Sequence, residues 1–202
     1  MSETIRIGVL GLQGDVEAHC DAVIRTGQAV PVVVRDRDEL AAVAGLILPG
    51  GESTTIGKLL DRTGLGAAIA ARARSGMPIY GTCAGMILLA TAICGSQQPR
   101  LGLMDIEVER NAFGRQVDSF EADIAAPRFG ATPLRGVFIR APYVRRAGAG
   151  VEVLASYETR IVAVEQGRLL ATAFHPELTG DLRVHAYFVR QCMGAVSAPQ
   201  IG

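Results

Sequence analysis

Short apolar runs alternate with helical patterns through the first half of the chain, and this alternation restricts the fold more than any other feature. Ile5 to Leu10 is an apolar run that ends at Gly11-Leu12-Gln13-Gly14, and a helical pattern opens near Asp15. Ala29 to Val34 is a second run, rich in β-branched residues, and Leu46 to Leu48 is a third, stopped by Pro49-Gly50-Gly51. Helical stretches follow from near Ser53 and near Leu65. Pro78 to Gly81 is a fourth short strand that feeds Thr82-Cys83-Ala84-Gly85 and a helix through Ala92. Strands apolar on both faces and separated by helices must be covered on both sides. That is the pattern of a parallel sheet with right-handed crossovers.

The second half changes rhythm. Met104 to Arg110, Val117 to Ile124 and Gly136 to Arg140 read as strands joined by loops. Val151 to Tyr157, Arg160 to Gln166 and Leu169 to Phe174 suit a meander with tight turns at Glu158-Thr159 and Gly167. A closing helix is expected from Asp181 to Met193, with a loose tail over 194–202. A chain of 202 residues without repeats or a low-complexity linker fits one domain spanning 1–202. The expected fold class is α/β: a single-domain, flavodoxin-like open sheet, mostly parallel with mixed edge strands, and helices on both faces.

Charge and composition exclude several function classes. Twenty basic residues balance twenty acidic ones, which argues against a broad electrostatic footprint for nucleic acid or an anionic membrane. Trp is absent and aromatics make up 5% of the chain, too few for base-stacking platforms. Cys20, Cys83, Cys94 and Cys192 form no CxxC pair and have no His at metal-ligand spacing, so no zinc site is expected. The start lacks the pattern of a secretory signal, and no apolar stretch is long enough to span a membrane. The expectation is a reduced, cytoplasmic α/β domain with neither membrane nor nucleic-acid partners.

Three segments carry chemistry. Gly81-Thr82-Cys83-Ala84-Gly85 has the form Gly-x-nucleophile-x-Gly at a strand-to-helix turn, where a sharp elbow strains the nucleophile and demands small residues two positions either side. The helix N-terminus there favours a thiolate. A small buried cysteine behind a strand would fit the same place, as it does for the other three. His175-Pro176-Glu177 sits at the end of an apolar strand, where side chains two apart share a face, so Glu177 can orient His175. His19 and His185 fall in helical patterns and read as surface or packing residues. Pro49 to Thr54 reads first as a turn with an N-cap. Its chemical reading is an oxyanion hole in which the backbone N–H groups of Gly51 and Ala84 stabilise charge on a carbonyl oxygen.

In this order the three segments resemble class I glutamine amidotransferases, whose Cys-His-Glu triad lies on a flavodoxin-like sheet. The stretches Gly8 to Gly14, Leu46 to Thr55, Gly81 to Gly85, Val108 to Glu121, Val137 to Pro142 and Phe174 to Thr179 narrow the resemblance. They are similar to the glutaminase subunits of ribose 5-phosphate-dependent pyridoxal phosphate synthases. The resemblance implies Cys83 as nucleophile, His175 as base and Glu177 as its partner. It implies Gly51, Glu52, Ser53, Arg110, Ile139 and Arg140 as the glutamine-binding set. Both arginines would otherwise read as solvated strand-end charges. It further implies L-glutamine as substrate, no cofactor or metal, and a partner synthase subunit in a large ring complex. Two other readings remain open on the sequence: another cysteine hydrolase on the same architecture, and a binding subunit without catalysis.

Overall fold

The computed structural model describes residues 4–110 and 119–197. The alternating half runs β1 (Ile5–Leu10), α1 (Val16–Arg25), β2 (Ala29–Val34), α2 (Arg37–Ala41), β3 (Gly45–Leu48), α3 (Ser53–Thr63), α4 (Leu65–Arg74), β4 (Ile79–Thr82) and α5 (Ala84–Leu89). Then come β5 (Ala90–Ile93), β6 (Met104–Glu109), β7 (Ser119–Ile124), β8 (Leu134–Ile139), β9 (Tyr143–Ala147), β10 (Glu152–Tyr157), β11 (Arg160–Gln166), β12 (Leu169–Thr172) and α6 (Arg183–Ser197).

One ten-stranded sheet has the order β2-β1-β3-β4-β12-β11-β9-β6-β5, with β10 branching from β11; β7 and β8 form a separate pair. The five strands from β2 to β12 are joined by parallel pairings. Beyond β12 the pairs β12–β11, β11–β10, β11–β9 and β9–β6 are antiparallel, and β5 closes the edge parallel to β6. The chain steps from β1 to β2 in one direction and from β3 to β4 in the other. Right-handed crossovers then put the intervening helices on opposite faces. Accordingly α1 packs with α6, and α3 packs with α4 and α5. The core is the two-sided apolar surface of β1, β3, β4 and β12, where Ile7, Leu46, Ile47, Ile79, Tyr80 and Leu170 have no exposure. Among the described residues no helix is long and apolar enough to cross a membrane.

Several elements differ from the sequence-based expectation. The helix expected to run through Ala92 stops at Leu89, because Ala90 turns to φ −61°, ψ 140° and Ala90, Ala92 and Ile93 find strand partners on β6. The short helix α2 was not expected, although its cap is local: the Asp36 carboxylate accepts the Glu39 N–H at 2.9 Å. Strand β9 was not expected either, since its exposed Arg145 and Arg146 hide an element defined by pairing with β6 and β11. Strand β12 ends at Thr172, two residues before Phe174. Helix α6 runs four residues past Met193, so Gly194 to Ser197 are helical and not tail. The remainder of that tail, and residues 111–118 within the Val108 to Glu121 stretch, lie outside the described residues.

Candidate active site

Strands β3, β4 and β12 lie side by side and parallel, with Leu48 opposite Gly81 and Gly81 opposite Ala171. Neighbouring strands stand about 4.8 Å apart, so the segments leaving their carboxyl ends must meet. These segments are the Pro49-Gly50-Gly51 loop, the Cys83 elbow and His175. The β1–α1 loop joins them, because β1 pairs with β3.

The elbow has the strain that its glycines foreshadow. Cys83 adopts φ 48°, ψ −100°, outside the conformations an L-residue prefers. Its N–H donates to Thr172 O at 2.8 Å, tying the turn to β12. A Cβ on Gly81 would stand 2.5 Å from the Gly85 carbonyl carbon, and one on Gly85 would stand 2.2 Å from Leu48 O. Only glycine allows helix α5 to lie so close to the strands.

His175 meets Glu177 through a tight turn, not through the extended segment expected from the sequence. Pro176 opens a single 3-10 turn over Pro176–Leu178, which suits its fixed φ. The result is still a 2.7 Å contact between His175 Nδ1 and Glu177 Oε1. The His175 N–H donates to Val137 O at 2.8 Å, which ties the base to β8. Burial would lower the His175 pKa, but hydrogen bonds with Cys83 and Glu177 outweigh it and hold the imidazole well above its ordinary value. Burial would raise the Glu177 pKa, but His19 beside it and the hydrogen bond from His175 hold it well below the carboxylate range.

A cavity of about 310 Å³ collects the other predicted residues. Cys83, Ala84 and His175 line it together with Gly51, Glu52 and Ser53. Arg110, Ile139 and Arg140 line its remaining side, while Glu177 sits behind His175 and outside the lining. Cys83 Sγ is 3.8 Å from Ile139 O, and Arg140 has φ 46°, a second strained residue at the rim. Gly51 has φ 156°. The peptides on either side of it are gripped by the β1–α1 loop: Gly50 O accepts from the Asp15 N–H at 3.1 Å, and the Glu52 N–H donates to Gln13 Oε1 at 2.8 Å.

Sequence reasoning missed residues that support this set. Gln98 is buried; its amide donates to Ser53 Oγ at 3.0 Å and accepts from Arg110 Nη1 at 2.6 Å and from the Thr54 hydroxyl at 3.2 Å. It therefore fixes two predicted binding residues while lying in an irregular loop that has no motif. Ile87, on α5, adds an apolar wall. His19 and His185 are both buried, which agrees with packing and not with a surface place. His19 nonetheless stands 3.3 Å from Glu177 Oε1, company that its helical pattern did not disclose.

Residues 9–194 match the SNO glutamine amidotransferase family. The chain is 56% identical over 191 residues to a protein of Pelotomaculum thermopropionicum named pyridoxal 5′-phosphate synthase subunit PdxT, covering 95% of this chain and 97% of that one. A Moorella thermoacetica protein of the same name is 54% identical, with 92% and 98% covered. A solved structure described as a glutamine amidotransferase superposes with a TM-score of 0.86 at 49% identity, covering 93% of this chain and 98% of that one. A second solved glutamine amidotransferase, from Thermotoga maritima, shares the fold at a TM-score of 0.61 and 13% identity, covering 96% of this chain and 95% of that one.

Proposed function

The chain belongs to the SNO glutamine amidotransferase family, and from that premise we propose that it is the glutaminase subunit of a cytoplasmic pyridoxal 5′-phosphate synthase. It hydrolyses L-glutamine to L-glutamate and ammonia, and hands the ammonia to a synthase subunit within a ring complex. The synthase combines it with ribose 5-phosphate and glyceraldehyde 3-phosphate. The observation that carries the reading is the convergence of a strained cysteine, a histidine, two arginines and a glycine loop on one cavity.

Chemistry follows from these positions. Cys83 attacks the side-chain amide carbon of glutamine as a thiolate, with its proton held on His175. Negative charge on the amide oxygen meets the N–H groups of Gly51 and Ala84, each donor worth about 2.7–4 kcal/mol where such donors have been removed elsewhere. His175 passes its proton to the leaving nitrogen, ammonia departs, and a γ-glutamyl thioester remains. Water deprotonated by His175 then hydrolyses the thioester and restores the thiol. Glu177 keeps the imidazole in the required tautomer and stabilises its charged form. Arg110 and Arg140 offer guanidinium groups to the α-carboxylate, and Glu52, Ser53 and Ile139 complete the pocket.

Glutamate release by the chain with its synthase partner tests this reading. Cys83→Ala is expected to abolish release while the fold survives, since the lost thiol leaves little cavity. Release at the parent rate by the variant would remove Cys83 as nucleophile.

A further inference from the structure

Glu177 has a second imidazole beside it. The carboxylate is wholly shielded from solvent, and its Oε1 stands 2.7 Å from His175 Nδ1 and 3.3 Å from His19 Nε2. His19, on α1, has no exposure. Its Nε2 is also 3.1 Å from the hydroxyl of Thr82, the residue before the nucleophile. Its Nδ1 is 3.0 Å from Nε2 of His185, which is equally buried on α6. Neither histidine lines the cavity that holds Cys83.

Counting donors places the protons. If His185 Nε2–H donates to His19 Nδ1, then His19 carries its own proton on Nε2, facing both Thr82 Oγ1 and Glu177 Oε1. The bare nitrogen left over is His185 Nδ1, which has no hydrogen-bond partner among the described residues. In the reverse arrangement that nitrogen bears a hydrogen with no acceptor, and a lone pair on His19 Nε2 faces the carboxylate. A buried donor left unmade and a lone pair against an anion both cost free energy, so the first arrangement is the stable one. Burial pushes the His185 pKa down to about 3, which keeps that ring uncharged at neutral pH.

We propose that His19 is a positioning residue for the triad: its Nε2–H, oriented by His185, holds the Glu177 carboxylate in the place from which it orients His175. This rests on the triad reading above. Glu177 Oε2 is buried without a hydrogen-bond partner among the described residues, so the N–H groups gathered at Oε1 are what keeps the carboxylate charged and in place. Removing His19 leaves His175 as the imidazole that compensates it. A carboxylate held so loosely in a dry site either shifts or takes up a proton, and each outcome weakens its support of the imidazolium. Because His19 does not line the cavity, the loss falls on turnover and not on glutamine binding.

The test uses the chain saturated with its synthase partner. His19→Leu fills the space without an N–H and is expected to lower kcat about tenfold, the scale seen for groups one step behind a functional histidine. KM is expected to stay within about twofold. His19→Gln, whose amide can return an N–H to the carboxylate, is expected to recover most of the loss. Unchanged kcat in a folded His19→Leu, or no recovery in a folded His19→Gln, overturns the proposal. Nitrogen-15 imidazole spectra of the parent chain need no substitution: His19 and His185 are each expected to be protonated at Nε2. A bare Nε2 on His19 overturns the proposal even if neither variant folds. A parent complex that releases no glutamate fails the glutaminase reading instead, and is told apart because the tautomers still decide whether His19 donates toward Glu177.

Discussion

A carboxylate removed from water persists as an anion only where N–H groups or cations compensate it, and among the described residues Glu177 meets that condition through the imidazoles of His175 and His19. The opposite displacements of its pKa and that of His175 set a pH window for stability. Glu177 is lowered from 4.5, so its contribution is present above that value and is lost as pH falls through the lowered one. His175 is raised from 6.5, so its contribution is complete below that value and is lost as pH rises through the raised one. Both are therefore in force between 4.5 and 6.5. Glu177→Gln removes the pairing, and the parent–variant difference in unfolding midpoint is expected to be flat in that window and to change on both sides of it. Thermal unfolding across pH measures this, and a difference that ignores pH contradicts the pairing. The same substitution is expected to lower turnover by more than about tenfold, because an amide cannot balance the charge on His175.

Elements matter here mainly where two of them nearly collide. Helix α5 has six residues, too few to be stable alone, and it is held by the elbow before it and by β3 beneath it. The 2.2 Å approach between a Cβ on Gly85 and Leu48 O involves backbone on the strand side, which cannot swing aside as a side chain would. Gly85→Ala is therefore expected to destabilise the chain by about 1–3 kcal/mol or more, the usual cost of overpacking, and to displace Cys83. A urea midpoint equal to the parent's would contradict that packing. Legibility at this scale follows the range of the interactions. The Gly81/Gly85 pair is local and is written in the elbow's own residues, whereas the Asp36–Glu39 cap, though equally local, opens a helix too short to show a periodic pattern. Strands β5 and β9 are defined by partners elsewhere in the chain, so their own residues announce them poorly.

Across the whole molecule, the site is a junction between the β1–α1 loop and the sheet's carboxyl edge. That loop grips the peptides on both sides of Gly51 through Asp15 and Gln13. A synthase subunit that docks on this loop is expected to act on the donor proposed for the oxyanion, at a glycine whose backbone can reorient at low steric cost. The isolated chain is accordingly expected to be a poor glutaminase and to gain activity on titration with its synthase, read as glutamate released per mole of chain. Equal turnover with and without the synthase would sink that idea. The sequence by itself determined the alternating parallel half, the elbow around Cys83 and the His175–Glu177 pair, because periodicity, small-residue spacing and short separation are local properties. Even there it mistook a tight turn for an extended segment. The meander of β10, β11 and β12 was legible too, but only the tertiary structure decided the pairing of β9 with β6 and β11, the seating of Arg110 on Gln98 and the approach of His19 to Glu177. His19 and Glu177 lie on α1 and just past β12, near opposite ends of the chain, and they meet because the sheet sets β12 two strands from β3 and α6 against α1. Contacts of that range leave no periodic trace in either segment, and packing alone creates them.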